Sequence, residues 1–171
     1  SPENRNFPQM IEILARPEFA VPEGQEIVPI YVDDEISSLS AILLDEAYYQ
    51  LILQYREISA SGLPLVIPPA LILLKAKAYL NLAEMKNAGK FVKGDDLRKH
   101  RNDIFRLSYL LPPNEVFQTA EAVKNDLRAF LEIFSPASEE WQAIQNALHQ
   151  SALPEFSADF LLERIRRYFG V

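Results

Sequence analysis

The chain has no cysteine, five glycines and two histidines in 171 residues. Without cysteine there is no disulfide framework, no thiol nucleophile and no thiolate zinc site. The two histidines, His100 and His149, are far apart and form neither an HxH nor an HExxH spacing, which argues against a histidine-rich metal site. None of the five glycines builds a GxGxxG, Walker or GxSxG motif, so no glycine-rich phosphate cradle or nucleophile elbow is present. No apolar run approaches the roughly 20 residues of a membrane span. The longest, Leu63 to Leu74, holds three prolines and ends at Lys75. No charged-then-apolar leader opens the chain, and no repeat or low-complexity tract interrupts it. These absences lead us to expect a cytoplasmic protein away from the membrane. The start at Ser1 fits a processed product or a piece of a longer protein.

What is there is ordinary globular material. Hydrophobic residues make up 49% of the chain and charged residues 24%, enough apolar surface for a packed core without a metal staple. The net charge of −7 disfavours nucleic-acid binding through bulk charge. The charge is uneven, however. Residues 86–106 hold seven basic side chains (Lys86, Lys90, Lys93, Arg98, Lys99, Arg101 and Arg106) against Asp95, Asp96 and Asp103. A local charge of +4 can receive a phosphate-bearing ligand, or it can be a solvated helix face laced with ion pairs.

Strand-like segments come first and helical ones second, which is the α+β order. Short strands are expected at 10–15, at 26–32 with Pro29 at an edge or bulge, at 37–44 and at 63–67. A loop is expected over 16–25. Asp45 is placed to cap a helix over 46–56. From Pro69 onward the pattern is helical. One helix runs to about Asn87 on a stripe of Leu71, Leu74, Ala78, Leu82 and Met85, and Ala88-Gly89 stops it. A second starts at Asp95 or Asp96 with Leu97, Ile104, Leu107 and Leu111 on one face. Pro112-Pro113 breaks it, and a third is expected over 114–134 with Val116, Ala120, Val123, Leu127, Phe130 and Phe134. Residues 138–150 and a last helix capped by Ser157 complete the set. The expected architecture is a small mixed sheet with one helix over 1–67, then a helical bundle over 68–171.

Four features carry candidate chemistry. Lys75 falls on the apolar stripe of its helix, where a lysine either snorkels at the core edge or projects into a cleft. Lys77 follows on another face. Lys99, Asp103 and Arg106 lie three or four residues apart, either an intrahelical ion pair or a lysine aimed at a phosphate beside an orienting carboxylate. Glu12 stands between Ile11 and Ile13 in a strand, facing solvent by simple alternation or offering a carboxylate to one sheet face. Two-metal chemistry needs several converging carboxylates, so Glu12 alone does not supply it.

The stretch Leu74-Lys75-Ala76-Lys77-Ala78-Tyr79-Leu80, followed by Asp96-Leu97-Arg98-Lys99-His100-Arg101-Asn102-Asp103-Ile104-Phe105-Arg106-Leu107, resembles the helical half of nucleotidyltransferase-like proteins of the abortive-infection toxin (AbiEii) type. Such proteins belong to bacterial toxin–antitoxin and phage-defence systems. The resemblance covers about residues 8–110. It implies that Lys75 or Lys77 matches the family's first-helix lysine, and that Lys99 with Asp103 matches the basic residue and aspartate of the second. Glu12 would match the third metal carboxylate. The family's Gly-Ser turn and Asp-x-Asp strand pair are missing ahead of Glu12, and Asp33-Asp34-Glu35 comes too late to replace them. The resemblance therefore implies the C-terminal portion of such a protein, inactive by itself. The intact family uses Mg2+, and no cofactor is expected for this chain alone. The alternative is a non-catalytic protein-interaction or antitoxin-like module. There the final helix, with Arg164, Arg166 and Arg167 beside Phe160, Leu161 and Phe169, packs on a partner or on its own bundle. The candidate partners are accordingly a nucleotide or a protein, with nucleic acid disfavoured.

Overall fold

The computed structural model describes the backbone of residues 11–15 and 39–43, and residues 45–171 in full. The chain divides into two compact units, Ser1–Leu53 and Gln54–Val171. The order is α+β, as expected, with helices dominating from Pro68 onward.

In the first unit, β1 (Ile11–Ala15) and β2 (Leu39–Leu43) pair in parallel, with Glu12 opposite Ser40. The expected strand at 26–32 and loop at 16–25 lie outside the described residues. Helix α1 (Glu46–Gln54) begins where Asp45 accepts the Tyr48 N–H at 3.1 Å, the N-cap bond that satisfies an otherwise orphaned donor. Tyr48 and Leu51, one turn apart, are its buried side chains.

The second unit opens with a hairpin of β3 (Arg56–Ile58) and β4 (Pro64–Val66), antiparallel, in register from Arg56 opposite Val66 to Ile58 opposite Pro64. Residue 56 thus belongs to a strand rather than to the end of the preceding helix. Gly62, at φ +81°, supplies the left-handed residue of the turn. The described strands therefore form two separate two-stranded ladders, one parallel and one antiparallel.

Helix α2 (Pro68–Asn87) carries both prolines in its first turn, where their missing N–H groups cost nothing. Its buried face is Pro69, Ala70, Ile72, Leu73 and Ala76, not the expected stripe of Leu71, Leu74, Ala78, Leu82 and Met85. Apolar residues occupy nearly every position of its first turns, so periodicity does not single out a face. Helix α3 (Gly94–Ser108) packs along α2 and buries Arg101, Ile104, Phe105 and Ser108.

Helix α4 (Glu121–Ile133) starts seven residues later than the pattern predicts. Residues 114–120 are not helical, because tertiary contacts hold them otherwise. The Phe117 N–H donates to the Tyr168 carbonyl at 2.7 Å, and the Tyr55 hydroxyl donates to the Gln118 carbonyl. The Phe117 ring packs against Tyr55, Tyr168 and Phe169, while Val116 is exposed. Helices α5 (Trp141–Gln150) and α6 (Ala158–Phe169) close the bundle. Ser157 caps α6 by accepting the Phe160 N–H at 3.2 Å, and Gly170 ends it at φ +64°.

The core is aromatic at its centre. Phe105, Phe130 and Phe134 are fully buried, with Tyr79 and Trp141 against them at ring separations of 4.9–6.1 Å. Each such ring removes enough apolar surface from water to stabilise the fold by about 1.5–3 kcal/mol. The final helix docks on its own bundle through Leu161, Leu162, Ile165, Tyr168 and Phe169. No helix among the described residues is long and apolar enough to cross a membrane.

Candidate functional site

Helix α2 lies between α3 and α4, and its two lysines straddle the fully buried Ala76. Positions 75 and 77 are about 200° apart on a helix of 3.6 residues per turn. They therefore reach to opposite sides. Lys75 Nζ donates to Asp103 Oδ2 on α3 at 2.7 Å, and Lys77 Nζ sits 3.0 Å from Asp126 Oδ2 on α4. The two lysines resemble one another in sequence but do not converge on one ligand.

Asp103 is the hub of the α3 side. Its Oδ1 accepts from Arg106 Nη1 at 3.2 Å, one turn on, while Oδ2 holds Lys75. Arg106 continues the chain of contacts to α5, with Nε donating to Ser151 Oγ at 2.9 Å and Nη2 to the Ala147 carbonyl at 3.4 Å. The side chains of Lys75 and Asp103 are each 23% exposed, so the pair stands at the edge of the core with water on one side. Burial raises the Asp103 carboxyl pKa, but the hydrogen bonds and charges of Lys75 and Arg106 outweigh it and hold the group below its ordinary range. Asp103 is a fixed anion that orients a lysine.

Lys99 and His100 complete the neighbourhood, one turn before Asp103. Lys99 is exposed. His100 Nδ1 is buried and has no hydrogen-bond partner among the described residues. Burial lowers its pKa first, and the charges of Lys75 and Lys99 lower it further against the opposing pull of Asp103 and Asp96. The imidazole is therefore held neutral beside a lysine-rich edge.

Of the residues singled out from sequence, the structure brings together Lys75 and Asp103, leaves Lys99 as an exposed neighbour, and turns Lys77 to α4. Glu12 is in β1 by its backbone, and its side chain lies outside the described residues. A magnesium ion does not fit the cluster: both oxygens of Asp103 already hold cations, and no group of three or more His, Asp or Glu among the described residues is placed to hold a metal. Two arginines, Arg101 from the basic stretch 86–106 and Arg164 from the final helix, turn toward the protein rather than to solvent. Arg101 is 5% exposed and pairs with Glu140, the residue before α5. Arg164 reaches from α6 to the Ser108, Tyr109 and Leu111 carbonyls at the end of α3. For Arg101 a signal was present, since residues 97, 101, 104 and 108 share one helical face.

No protein-family model, curated protein or solved structure matches this chain.

Proposed function

We propose that this chain is the C-terminal portion of a nucleotidyltransferase-like protein of the abortive-infection toxin type, and that its helical part receives the phosphates of a nucleotide at Lys75. The observation that supports this reading is the ion pair between Lys75 and Asp103. The two residues are 28 positions apart, and both are among the four helical residues, Lys75, Lys77, Lys99 and Asp103, to which the resemblance gives roles. A partly exposed lysine on a carboxylate can exchange that partner for a phosphate oxygen while Asp103 stays tethered to Arg106. Lys99 adds a second cation one turn away. The metal carboxylates of the intact family are not supplied by this cluster, so transfer is assigned to residues beyond it.

The test is calorimetric titration with ATP, GTP, CTP and UTP in the presence of magnesium chloride. Lys75→Met keeps the aliphatic stem and removes the charge. It is expected to weaken binding at least tenfold, or about 1.4 kcal/mol, with Lys99→Ala weaker in effect. Absence of nucleotide binding by the folded chain refutes the reading. An interaction module would then be favoured by the β3–β4 hairpin, which leaves Ile58, Leu63 and Leu65 exposed on one short ribbon.

A further inference from the structure

A second group of cations lies away from Lys75, around an open cavity of about 360 Å³. Its walls come from the C-terminal half of α2 (Tyr79 and Lys86), the first two turns of α3 (Gly94, Leu97, Arg98 and Arg101) and the start of α5 (Glu140 and Ala143). Three cations face one carboxylate there.

Arg101 is the unusual member. A guanidinium has five N–H donors in a planar fork, and this one is 95% withdrawn from solvent. Nε donates to Asn102 Oδ1 at 3.0 Å, and Nη1 donates to Glu140. Nη2 makes no hydrogen bond with any described residue. It is not sealed in the core either, because the single fully buried unpartnered side-chain polar atom among the described residues is His100 Nδ1. The second arm of the fork thus keeps some contact with solvent, and Arg101 is one of the residues that line the cavity. Arg98 folds over the first turn of α3, where its Nη1 lies 3.3 Å from the position a Cβ on Gly94 would take, and pairs with Asp95 in the same turn. Lys86, exposed at the end of α2, makes no ion pair among the described residues. Leu97, Ala143 and the Tyr79 ring give the same cavity an apolar side.

We infer that this cavity is an anion site for a small phosphate monoester. The phosphoryl oxygens are taken by the free arm of Arg101 with Arg98 and Lys86, and a compact flat body lies against Leu97, Ala143 and Tyr79. A guanidinium fork already fixed by Asn102 and Glu140 meets a tetrahedral oxyanion without ordering a long side chain, which is the usual advantage of arginine at phosphate sites. The inference does not depend on the nucleotide reading of Lys75, since none of these residues belongs to the Lys75–Asp103–Arg106 cluster.

The experiment is a residue-resolved amide NMR titration of the full chain with inorganic phosphate, phenyl phosphate and phenol. Shifts are expected to centre on Lys86, Gly94, Leu97, Arg98, Arg101 and Ala143, with phenyl phosphate tighter than inorganic phosphate and phenol weakest. Lys86→Ala and Arg98→Ala change exposed side chains and are expected to leave the fold intact. Each should weaken phenyl phosphate at least threefold. Glu140→Gln keeps an acceptor for Arg101 but removes the carboxylate, and is expected to tighten binding about threefold. A merely structural cluster would not show that gain. Shifts scattered over Lys90 and Lys93, no loss in Arg98→Ala, or no gain in Glu140→Gln would overturn the assignment. Saturation by a single-stranded oligonucleotide at concentrations where phenyl phosphate leaves the spectrum unchanged would also overturn it.

Discussion

Replacing Arg164 tests whether α6 holds the end of α3 by hydrogen bonding or only by apolar contact. The side chain is partly buried, and its Nε donates to the Ser108 carbonyl at 2.9 Å. Its Nη2 reaches the Tyr109 carbonyl at 3.3 Å and the Leu111 carbonyl as well. These are the last carbonyls of a helix and its exit, where intrahelical donors run out and the macrodipole is negative. A hydrogen bond to a charged group contributes about 1.5–3 kcal/mol when well buried. Three bonds from one half-buried guanidinium are not additive, so about 3 kcal/mol in total is the expectation. Arg164→Met retains the packing of the stem and removes the donors. In urea, with a slope of about 2 kcal/mol/M, the midpoint should fall by about 1.5 M with the slope unchanged. Arg164→Lys should recover less than half, because one ammonium cannot span the three acceptors. A loss below about 0.5 kcal/mol in Arg164→Met, or full recovery in Arg164→Lys, would refute the reasoning.

Two further outcomes follow from local chemistry. Ser157→Ala removes the oxygen that accepts the Phe160 N–H and should cost about 1 kcal/mol in the same urea assay, while Ser157→Asn should be nearly neutral. Stability should also fall in two steps as pH is lowered. His100 is held below its ordinary 6.5, so the unfolded chain takes up that proton first; its contribution is complete above about pH 6.5 and is lost as pH falls through the lower folded value. Asp103 is held below its ordinary 3.8, and its contribution is complete above that pH and is lost as pH falls through its own folded value. Urea midpoints measured from pH 8 to 2.5 should show the first step vanish in His100→Gln and the second in Asp103→Asn.

Much of the helical architecture was legible in the residues. Asp45, Pro69, Ala88-Gly89 and Ser157 punctuate their helices as local chemistry requires, and Val123, Leu127 and Phe130 are on the buried face expected of them. The failures have physical causes. The face of α2 was misread because apolar residues surround its first turns. Residues 114–120 have an acceptable helical pattern, yet Phe117 gains more from Tyr55, Tyr168 and Phe169 than from continuing a helix, and those partners are remote in sequence. Arg56–Ile58 was too short to announce itself as a strand. At the candidate site, the resemblance names Lys75 and Asp103 separately and pairs Asp103 with Lys99; that Lys75 meets Asp103 depends on how α2 packs on α3. That Lys77 would turn to Asp126 depends on where α4 lies, which no local pattern states.

The cluster around Phe117 also bears on how the second unit reaches its fold. One of its bonds spans 63 residues, from Tyr55 to Gln118, and another joins Phe117 to Tyr168. The hairpin, the connector and the last helix thus meet in one clasp that cannot close until the segment around residue 168 has been synthesised. Helices emerging earlier from a ribosome have their local turns but not this closure. Contacts between segments so distant in sequence form more slowly than local helical turns.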